Sequence, residues 1–139
     1  MSDGYNGDVT PIETWEMLKN EADSVLIDVR TEAEWNYVGI TDLSGIGKTP
    51  LHISWQTYPG MAVNPDFVGQ VEEACPDKDA ALIFICRSGV RSISTAKALT
   101  ELGYTRCYNV LEGFEGDKDD ADHRATAGGW KVAELPWKQ

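Results

Sequence analysis

The segment from Leu82 to Ser92 contains the residues of this chain best suited to covalent chemistry. The apolar residues 82–85 predict a buried strand, and Cys86 follows at its end, before a loop with one glycine and two arginines and then a predicted helix. A thiol placed there faces backbone N–H groups, the positive end of the helix dipole and guanidinium groups, all of which stabilise a negatively charged sulfur. The pattern predicts that Cys86 is a nucleophile or the carrier of an anionic adduct.

The residues that follow Cys86 are predicted to contact a small anionic substrate. Arg87 and Arg91 bring charge to the loop, and Arg91 is the stronger candidate because it stands at the start of the predicted helix. The intervening residues serve through backbone N–H groups, and Gly89 gives the freedom that a tight turn requires. The predicted substrate-binding set is Arg87, Ser88, Gly89, Val90, Arg91 and Ser92.

The other cysteines and the histidines do not suggest a second site. Cys75 and Cys107 lack basic neighbours on both sides and are predicted to be structural, although Cys107 follows Arg106 and a resolving role stays open. Three cysteines without paired spacing do not make a disulfide framework, so we expect a reducing, cytoplasmic location. Neither His52 nor His123 has the spacing of a metal site or a catalytic triad, and no metal is expected.

Composition and charge restrict the classes of partner. The chain has 139 residues, 42% of them hydrophobic, which suits one domain with an ordinary core. A net charge of −11 argues against nucleic acid or an anionic membrane surface, because both would be repelled. The first residues lack the basic and apolar regions of a secretory signal, and no apolar run approaches the roughly 20 residues that span a bilayer.

Strands alternate with helices along the chain, which predicts βαβ units around a mostly parallel sheet. Ligands of such sheets bind beyond the carboxyl ends of the strands, and both Asp28 and Cys86 are expected at that edge. Residues 1–8 are expected to be a flexible N-terminal segment. The predicted helices are residues 11–19, a short helix from 31, a helix capped by residues 64–66 that runs to about 74, and residues 92–102. The predicted strands are 25–29, around 51–55, 82–85 and 107–111, with loops elsewhere and an acidic loop over 117–122.

A group of charged residues follows the first predicted strand. Asp28 and Arg30 could act as acid and base, but a buried ion pair or hydrogen-bond network that braces the loop is the better interpretation. Arg30 and Glu34 are spaced i, i+4, which fits that supporting role.

Three motifs together resemble the rhodanese-like family in its single-domain form. Residues 86–91 match the six-residue active-site loop of that family, and residues 25–35 resemble its early Asp-x-Arg-x-x-x-Glu signature. Residues 103–113 resemble the third motif, and the similarity extends over one domain at residues 9–137. The chain departs from the family pattern at residues 38–44, and at residues 113–116, where Gly-Phe-Glu-Gly stands in place of paired glycines.

The resemblance implies a rhodanese-like α/β fold, with helices on both faces of a mostly parallel sheet, and a sulfurtransferase activity. Cys86 would carry sulfane sulfur as a persulfide, taken from an anionic donor such as thiosulfate and passed to cyanide or a thiol, without a metal or organic cofactor. Two alternatives remain open: a relay of sulfur to a protein thiol, and a non-catalytic interaction module. A phosphatase or arsenate reductase is disfavoured, because a Cys-x5-Arg loop would need arginine at the position of Ser92.

Overall fold

The computed structural model describes residues 5–57, 62–87, 91–116 and 129–138. Predictions that concern His123 and the acidic segment 117–122 lie outside these residues. The described elements, in chain order, are β1 (Gly7–Val9), α1 (Pro11–Asn20), β2 (Val25–Asp28), α2 (Glu32–Tyr37), β3 (Ile40–Thr41), a 3-10 helix (Ser44–Ile46), β4 (Leu51–His52), β5 (Gln56–Thr57), β6 (Ala62–Val63), α3 (Phe67–Ala74), β7 (Leu82–Ile85), α4 (Arg91–Glu101), β8 (Cys107–Val110) and β9 (Trp137–Lys138).

The central sheet is parallel, as the alternation of strands and helices predicts. In the described part of the chain its strand order is β1-β8-β7-β2-β4, and each neighbouring pair is parallel. Two short antiparallel pairs, β3 with β9 and β5 with β6, lie outside this sheet. Strand β7 therefore occupies the middle of the sheet, and the residue that follows it lies at the centre of the carboxyl edge.

Strand β7 shows how the two faces of the sheet are covered. All four of its residues are fully buried, which is typical of a parallel strand with helices on both sides. Leu82 and Phe84 pack with residues of α3 and α4, whereas Ile83 and Ile85 pack with residues of α1 and of the C-terminal segment. The helix residues in these two clusters are Phe67, Val71, Ala96 and Leu99 on one face and Leu18 on the other.

The starts of α1 and α2 have side-chain capping contacts, whereas the start of α3 is built differently. Thr10 and Thr31 each form a capping box with the glutamate three residues later, which satisfies N–H groups at the start of α1 and α2. Helix α3 begins at Phe67, and the Asp66 side chain makes no capping bond. Asn64 Oδ1 instead accepts a hydrogen bond from the Asp66 N–H at 3.0 Å, an Asx turn that leads the chain into the helix.

The N-terminal segment differs from the sequence-based prediction. We expected residues 1–8 to be flexible, but Gly7–Val9 form β1 and pair with β8 at the edge of the sheet. The Asn6 N–H donates to the Cys107 carbonyl, and the Leu111 N–H donates to the Val9 carbonyl. A short polar strand with one buried apolar residue gives little local signal, so its order comes from pairing with a strand about 100 residues away.

No helix among the described residues is long and apolar enough to cross a membrane.

Candidate active site

Cys86 lies at the carboxyl edge of the sheet, directly after β7. Asp28, the last residue of β2, is in register with Ile85 on the neighbouring strand. The Cys86 side chain is 1% exposed, and its Sγ atom lies 3.2 Å from the Oγ atom of Ser92 in the first turn of α4. The structure thus brings Cys86, Arg91 and Ser92 together, while Ser88, Gly89 and Val90 lie outside the described residues.

A turn over residues 113–116 holds the backbone on which Cys86 stands. The Phe114 N–H donates to the Cys86 carbonyl at 2.8 Å, and the Glu115 and Gly116 N–H groups donate to the Arg87 carbonyl at 2.9 and 3.2 Å. Gly113 has a positive φ of 59°, and a Cβ there would overlap the Cys86 carbonyl oxygen and lie 2.8 Å from Arg87 backbone atoms. Only glycine therefore allows this close approach of the turn to the nucleophile loop.

Arg91 forms a bidentate ion pair with Glu34. Its Nη1 and Nη2 atoms donate to Oε1 and Oε2 at 2.8 and 2.9 Å, and both side chains are 17% exposed. The i, i+4 spacing predicts that Glu34 pairs with Arg30, but the Glu34 carboxylate accepts hydrogen bonds from Arg91 and from Thr31 instead. The pair therefore joins the N-terminus of α4 to α2, and a large part of the Arg91 charge is compensated before a substrate arrives.

The ionisation of both partners reflects this contact. Partial burial opposes ionisation of Glu34, but the hydrogen bonds and charge of Arg91, helped by the Thr31 N–H and the charge of Arg30, outweigh burial and lower the pKa of Glu34. Burial likewise opposes the charge on Arg91, whereas Glu34 and, more weakly, Cys86 raise the pKa of Arg91. Arg91 is therefore close enough to interact with the charge on Cys86.

The Glu34→Gln variant is expected to unfold more easily than the wild type, by about 1.5–3 kcal/mol at pH 7, because it removes charge-assisted hydrogen bonds to Arg91. The pKa of Glu34 is lower in the folded state than in the unfolded chain. Its contribution is therefore complete above the unfolded value and is lost as the pH falls through the folded value. Urea unfolding of both proteins between pH 7 and pH 3 measures this difference, which should shrink below about pH 4.5.

Glu72→Gln is the matched control, because the Glu72 carboxylate lies 4.0 Å from Lys78 Nζ and both side chains are more than 40% exposed. An exposed pair of this kind contributes about 0–1 kcal/mol. A Glu34→Gln effect no larger than that of Glu72→Gln, or one that does not change with pH, would show that the Glu34–Arg91 contact does not stabilise the fold.

Asp28 and Arg30 form a fully buried ion pair next to the nucleophile strand. The Arg30 Nη2 atom lies 2.7 Å from Asp28 Oδ2 and 2.8 Å from the Gly39 carbonyl oxygen, and Nε also donates to the Asp28 carboxylate. The guanidinium carbon lies 4.3 Å from the centre of the Phe114 ring. A charge that is buried away from water needs such partners. Through the contact between Arg30 and Phe114, the ion pair connects β2 with the turn that holds the Cys86 backbone.

Cys107 lies far from this edge, and Cys75 lies at the end of α3. Cys107 is in register with Leu82 at the amino end of the sheet, four residues before Cys86, a separation of about 13 Å along the strand. Both Cys75 and Cys107 are buried, and burial raises the pKa of each thiol. These positions fit the predicted structural role and exclude Cys107 as a resolving cysteine for Cys86 in this conformation.

Residues near Cys86 that the sequence did not suggest are Asn109 and Asp8. The Ser92 hydroxyl contacts the Asn109 side chain, which in turn contacts Asp8 on the adjacent strand. An asparagine in an otherwise apolar strand was the available signal for Asn109. Asp8 had none, because its strand was not predicted.

His52, the last residue of β4, makes an aromatic contact. The His52 ring stacks on Trp35, with ring centres 4.8 Å apart. Among the described residues there is no group of three or more His, Cys, Asp or Glu side chains close enough to hold a metal ion.

Comparisons with known proteins identify the class of fold. Residues 10–120 match the family described as Rhodanese-like domain. The crystal structure of Rv0390 from M. tuberculosis is 44% identical, with a TM-score of 0.89, and the match covers 97% of this chain and 98% of that one. An uncharacterized Rickettsia rickettsii protein, the RP600 homolog, is 39% identical over 91% of this chain and 92% of its own length.

Thiosulfate sulfurtransferase GlpE of Glaesserella parasuis is 30% identical over 78% of this chain and 83% of its own length. The parallel sheet, with a buried cysteine after its central strand and α4 beginning at Arg91, agrees with this family match. This chain belongs to the rhodanese-like domain family.

Proposed function

We propose that this protein is a sulfurtransferase in which Cys86 carries sulfane sulfur as a persulfide. The observation that carries the proposal is the position of Cys86, at the centre of the carboxyl edge and beside the first turn of α4, in a rhodanese-like fold. The named activity of the Glaesserella parasuis relative supports thiosulfate as a donor. Free cysteines in the described chain fit the reducing, cytoplasmic setting in which the protein would act.

The reaction needs two displacements at sulfur. The Cys86 thiolate attacks the outer sulfur of thiosulfate, a new S–S bond forms, and sulfite leaves with the electron pair of the bond that breaks. Cyanide or a thiolate then attacks the outer sulfur of the persulfide, and Cys86 leaves as a thiolate. Atoms and charge balance in each displacement, so no redox cofactor is required. Because the attacking and leaving sulfur atoms are anionic, the site needs groups that stabilise negative charge on sulfur.

The arginines near Cys86 have different roles in this proposal. The Arg87 side chain is exposed next to the nucleophile, which suits it to attract an anionic donor to an otherwise acidic protein. Arg91, which we expected to be the main substrate contact, is engaged with Glu34 and is better suited to hold α4 in place. The loop residues Ser88, Gly89 and Val90 would bind the outer sulfur through their N–H groups.

The same geometry weighs against phosphoryl transfer. A phosphatase loop would place a guanidinium at the sixth residue after the cysteine, where this chain has Ser92. The Ser92 side chain is fully buried and hydrogen-bonds to Asn109, so this position presents no cation to a phosphate.

Treatment of the wild-type protein with thiosulfate is expected to add the mass of one sulfur atom per chain, and cyanide or dithiothreitol should remove it. Intact mass spectrometry measures the adduct, and peptide mapping without reductant locates it. The adduct should lie on the peptide that contains Cys86, while the buried Cys75 and Cys107 serve as internal controls. No adduct with thiosulfate, polysulfide or a low-molecular-weight persulfide, or an adduct on Cys75 or Cys107, would refute the proposal.

A further inference from the structure

A row of polar side chains connects Cys86 to the edge of the sheet. The Cys86 Sγ atom lies 3.2 Å from Ser92 Oγ, and the Ser92 hydroxyl donates to Asn109 Oδ1. Asn109 Nδ2 donates to Asp8 Oδ1 at 3.0 Å, and the Tyr5 hydroxyl donates to the same oxygen at 2.7 Å. Asp8 and Asn109 are register partners on β1 and β8, which places their side chains side by side on one face.

The burial of this row increases from Asp8 to Cys86. Asp8 is exposed, whereas Cys86, Ser92 and Asn109 are each at most 1% exposed. Water is therefore excluded from the inner part of the row, and each polar atom there depends on its neighbours for hydrogen bonds.

The charge on Asp8 determines the direction of every hydrogen bond in the row. An ionised carboxylate only accepts, so the NH₂ group of Asn109 must face Asp8 and the amide oxygen must face Ser92. Ser92 has one hydroxyl hydrogen, and it donates this hydrogen to the amide oxygen of Asn109. The lone pairs of Ser92 are then directed at Cys86, and the bond between these two residues is one in which the S–H group donates.

This direction favours the protonated form of Cys86. When the thiol loses its proton, the sulfur becomes an acceptor that faces another acceptor. The Ser92 hydroxyl can donate to the thiolate only if its hydrogen turns away from Asn109, which leaves a buried amide oxygen without a donor. The row therefore opposes formation of the reactive thiolate, whereas Arg91 on the same helix favours it.

We propose that Asp8 and Asn109 are positioning residues that hold the Ser92 hydroxyl turned away from Cys86 and so limit the reactivity of the unloaded thiol. The proposal takes from the proposed function only that Cys86 is the reacting thiol. Alkylation by iodoacetamide, in which the thiolate sulfur displaces iodide, measures that reactivity without any sulfur donor.

Asp8→Ala is the principal test, because Asp8 is exposed and its loss frees the Asn109 amide to turn. With the amide reversed, the NH₂ group faces Ser92, and the serine hydrogen becomes available to Cys86. We expect the rate constant for alkylation of Cys86 at pH 7 to rise about three- to tenfold, the scale of one hydrogen bond gained by a thiolate.

Ser92→Ala and the double variant Asp8→Ala/Ser92→Ala separate this effect from the loss of one negative charge. An electrostatic effect of Asp8 acts equally with or without the Ser92 hydroxyl, whereas an effect through orientation requires it. We therefore expect the double variant to react at the rate of Ser92→Ala. The variants leave the other charged groups on elements around Cys86 unchanged, namely Asp28, Arg30, Glu34, Arg87, Arg91, Glu112 and Glu115.

Asn109→Leu is a second test, because it removes the amide oxygen that accepts the Ser92 hydrogen. Alkylation of Cys86 in this variant should also be faster than in the wild type. Equal acceleration by Asp8→Ala with and without Ser92, or unchanged or slower alkylation in Asp8→Ala, would overturn the proposal. A protein that shows the expected alkylation pattern but forms no sulfur adduct would refute only the proposed function.

Discussion

The Cys86→Ser variant is expected to lose sulfur transfer, with kcat/KM falling on the order of 10⁴-fold or more, the scale seen when an enzyme loses the nucleophile of its covalent intermediate. A hydroxyl cannot form a persulfide, so the first displacement has no acceptor atom. The serine hydroxyl can hydrogen-bond to Ser92, as the thiol does, so the fold should be retained with a stability change of about 1 kcal/mol. Steady-state transfer from thiosulfate to cyanide measures the loss, and thermal unfolding checks the fold.

Cys107→Ala is the matched control for this experiment. Cys107 is buried at the opposite end of the sheet, so its loss should reduce stability by about 1 kcal/mol and leave sulfur transfer intact. The assignment of Cys86 as the nucleophile would be wrong if sulfur transfer persisted in Cys86→Ser. It would also be wrong if transfer disappeared in Cys107→Ala while that protein stayed folded.

Replacement of Gly113 by alanine should have the largest effect on stability. The new Cβ would overlap the Cys86 carbonyl oxygen, and the residue would have to adopt a positive φ of 59°. Strain in the left-handed conformation and overpacking together should lower the free energy of unfolding by about 2–5 kcal/mol. The turn that holds the Cys86 and Arg87 carbonyls would move, so the fraction that remains folded should also form the persulfide more slowly.

Gly47→Ala isolates the conformational part of that effect. Gly47 also has a positive φ, of 71°, but a Cβ there would have no heavy atom within 4 Å. Its substitution should cost about 1–2 kcal/mol from strain alone. Chemical denaturation of both variants gives the difference, which reports the steric overlap at the nucleophile loop. Equal losses in the two variants would mean that the turn can move away from Cys86 without cost.

The Gly113 turn also explains a departure from the family pattern. The sequence has Gly-Phe-Glu-Gly where paired glycines are expected, and the structure shows that one glycine, Gly113, meets the steric demand at Cys86. The side chain of the next residue, Phe114, is fully buried and packs against the guanidinium of Arg30. The replacement of glycine by phenylalanine therefore adds a contact between the turn and the buried ion pair.

Local sequence patterns determined most of the framework of this protein. Mostly apolar runs marked β2, β7 and β8, because strands buried on both faces are rich in apolar residues. Thr10 with Glu13 marked the start of α1, and Thr31 marked the start of α2, because these side chains hydrogen-bond to N–H groups within the same segment. The position of Cys86 at the edge of the sheet followed from the strand before it and the helix after it.

Tertiary structure decided which charged and polar side chains meet around the nucleophile. The i, i+4 spacing suggested that Arg30 would pair with Glu34. Instead, Arg30 contacts Asp28 and Gly39, and Glu34 contacts Arg91, 57 residues away. Spacing within one helix could not reveal that partner, because it depends on how α2 and α4 are placed in space.

The side-chain contacts that run from Cys86 to Asp8 could not be predicted from the sequence, for a similar reason. The strand that contains Asp8 is short, polar and at the sheet edge, so it is ordered through pairing with β8 and not through its own residue preferences. The sequence therefore identified the nucleophile, because its surroundings are local. The hydrogen bonds beyond Ser92 lead to Asp8, a residue from the other end of the chain, and only the folded structure shows that contact.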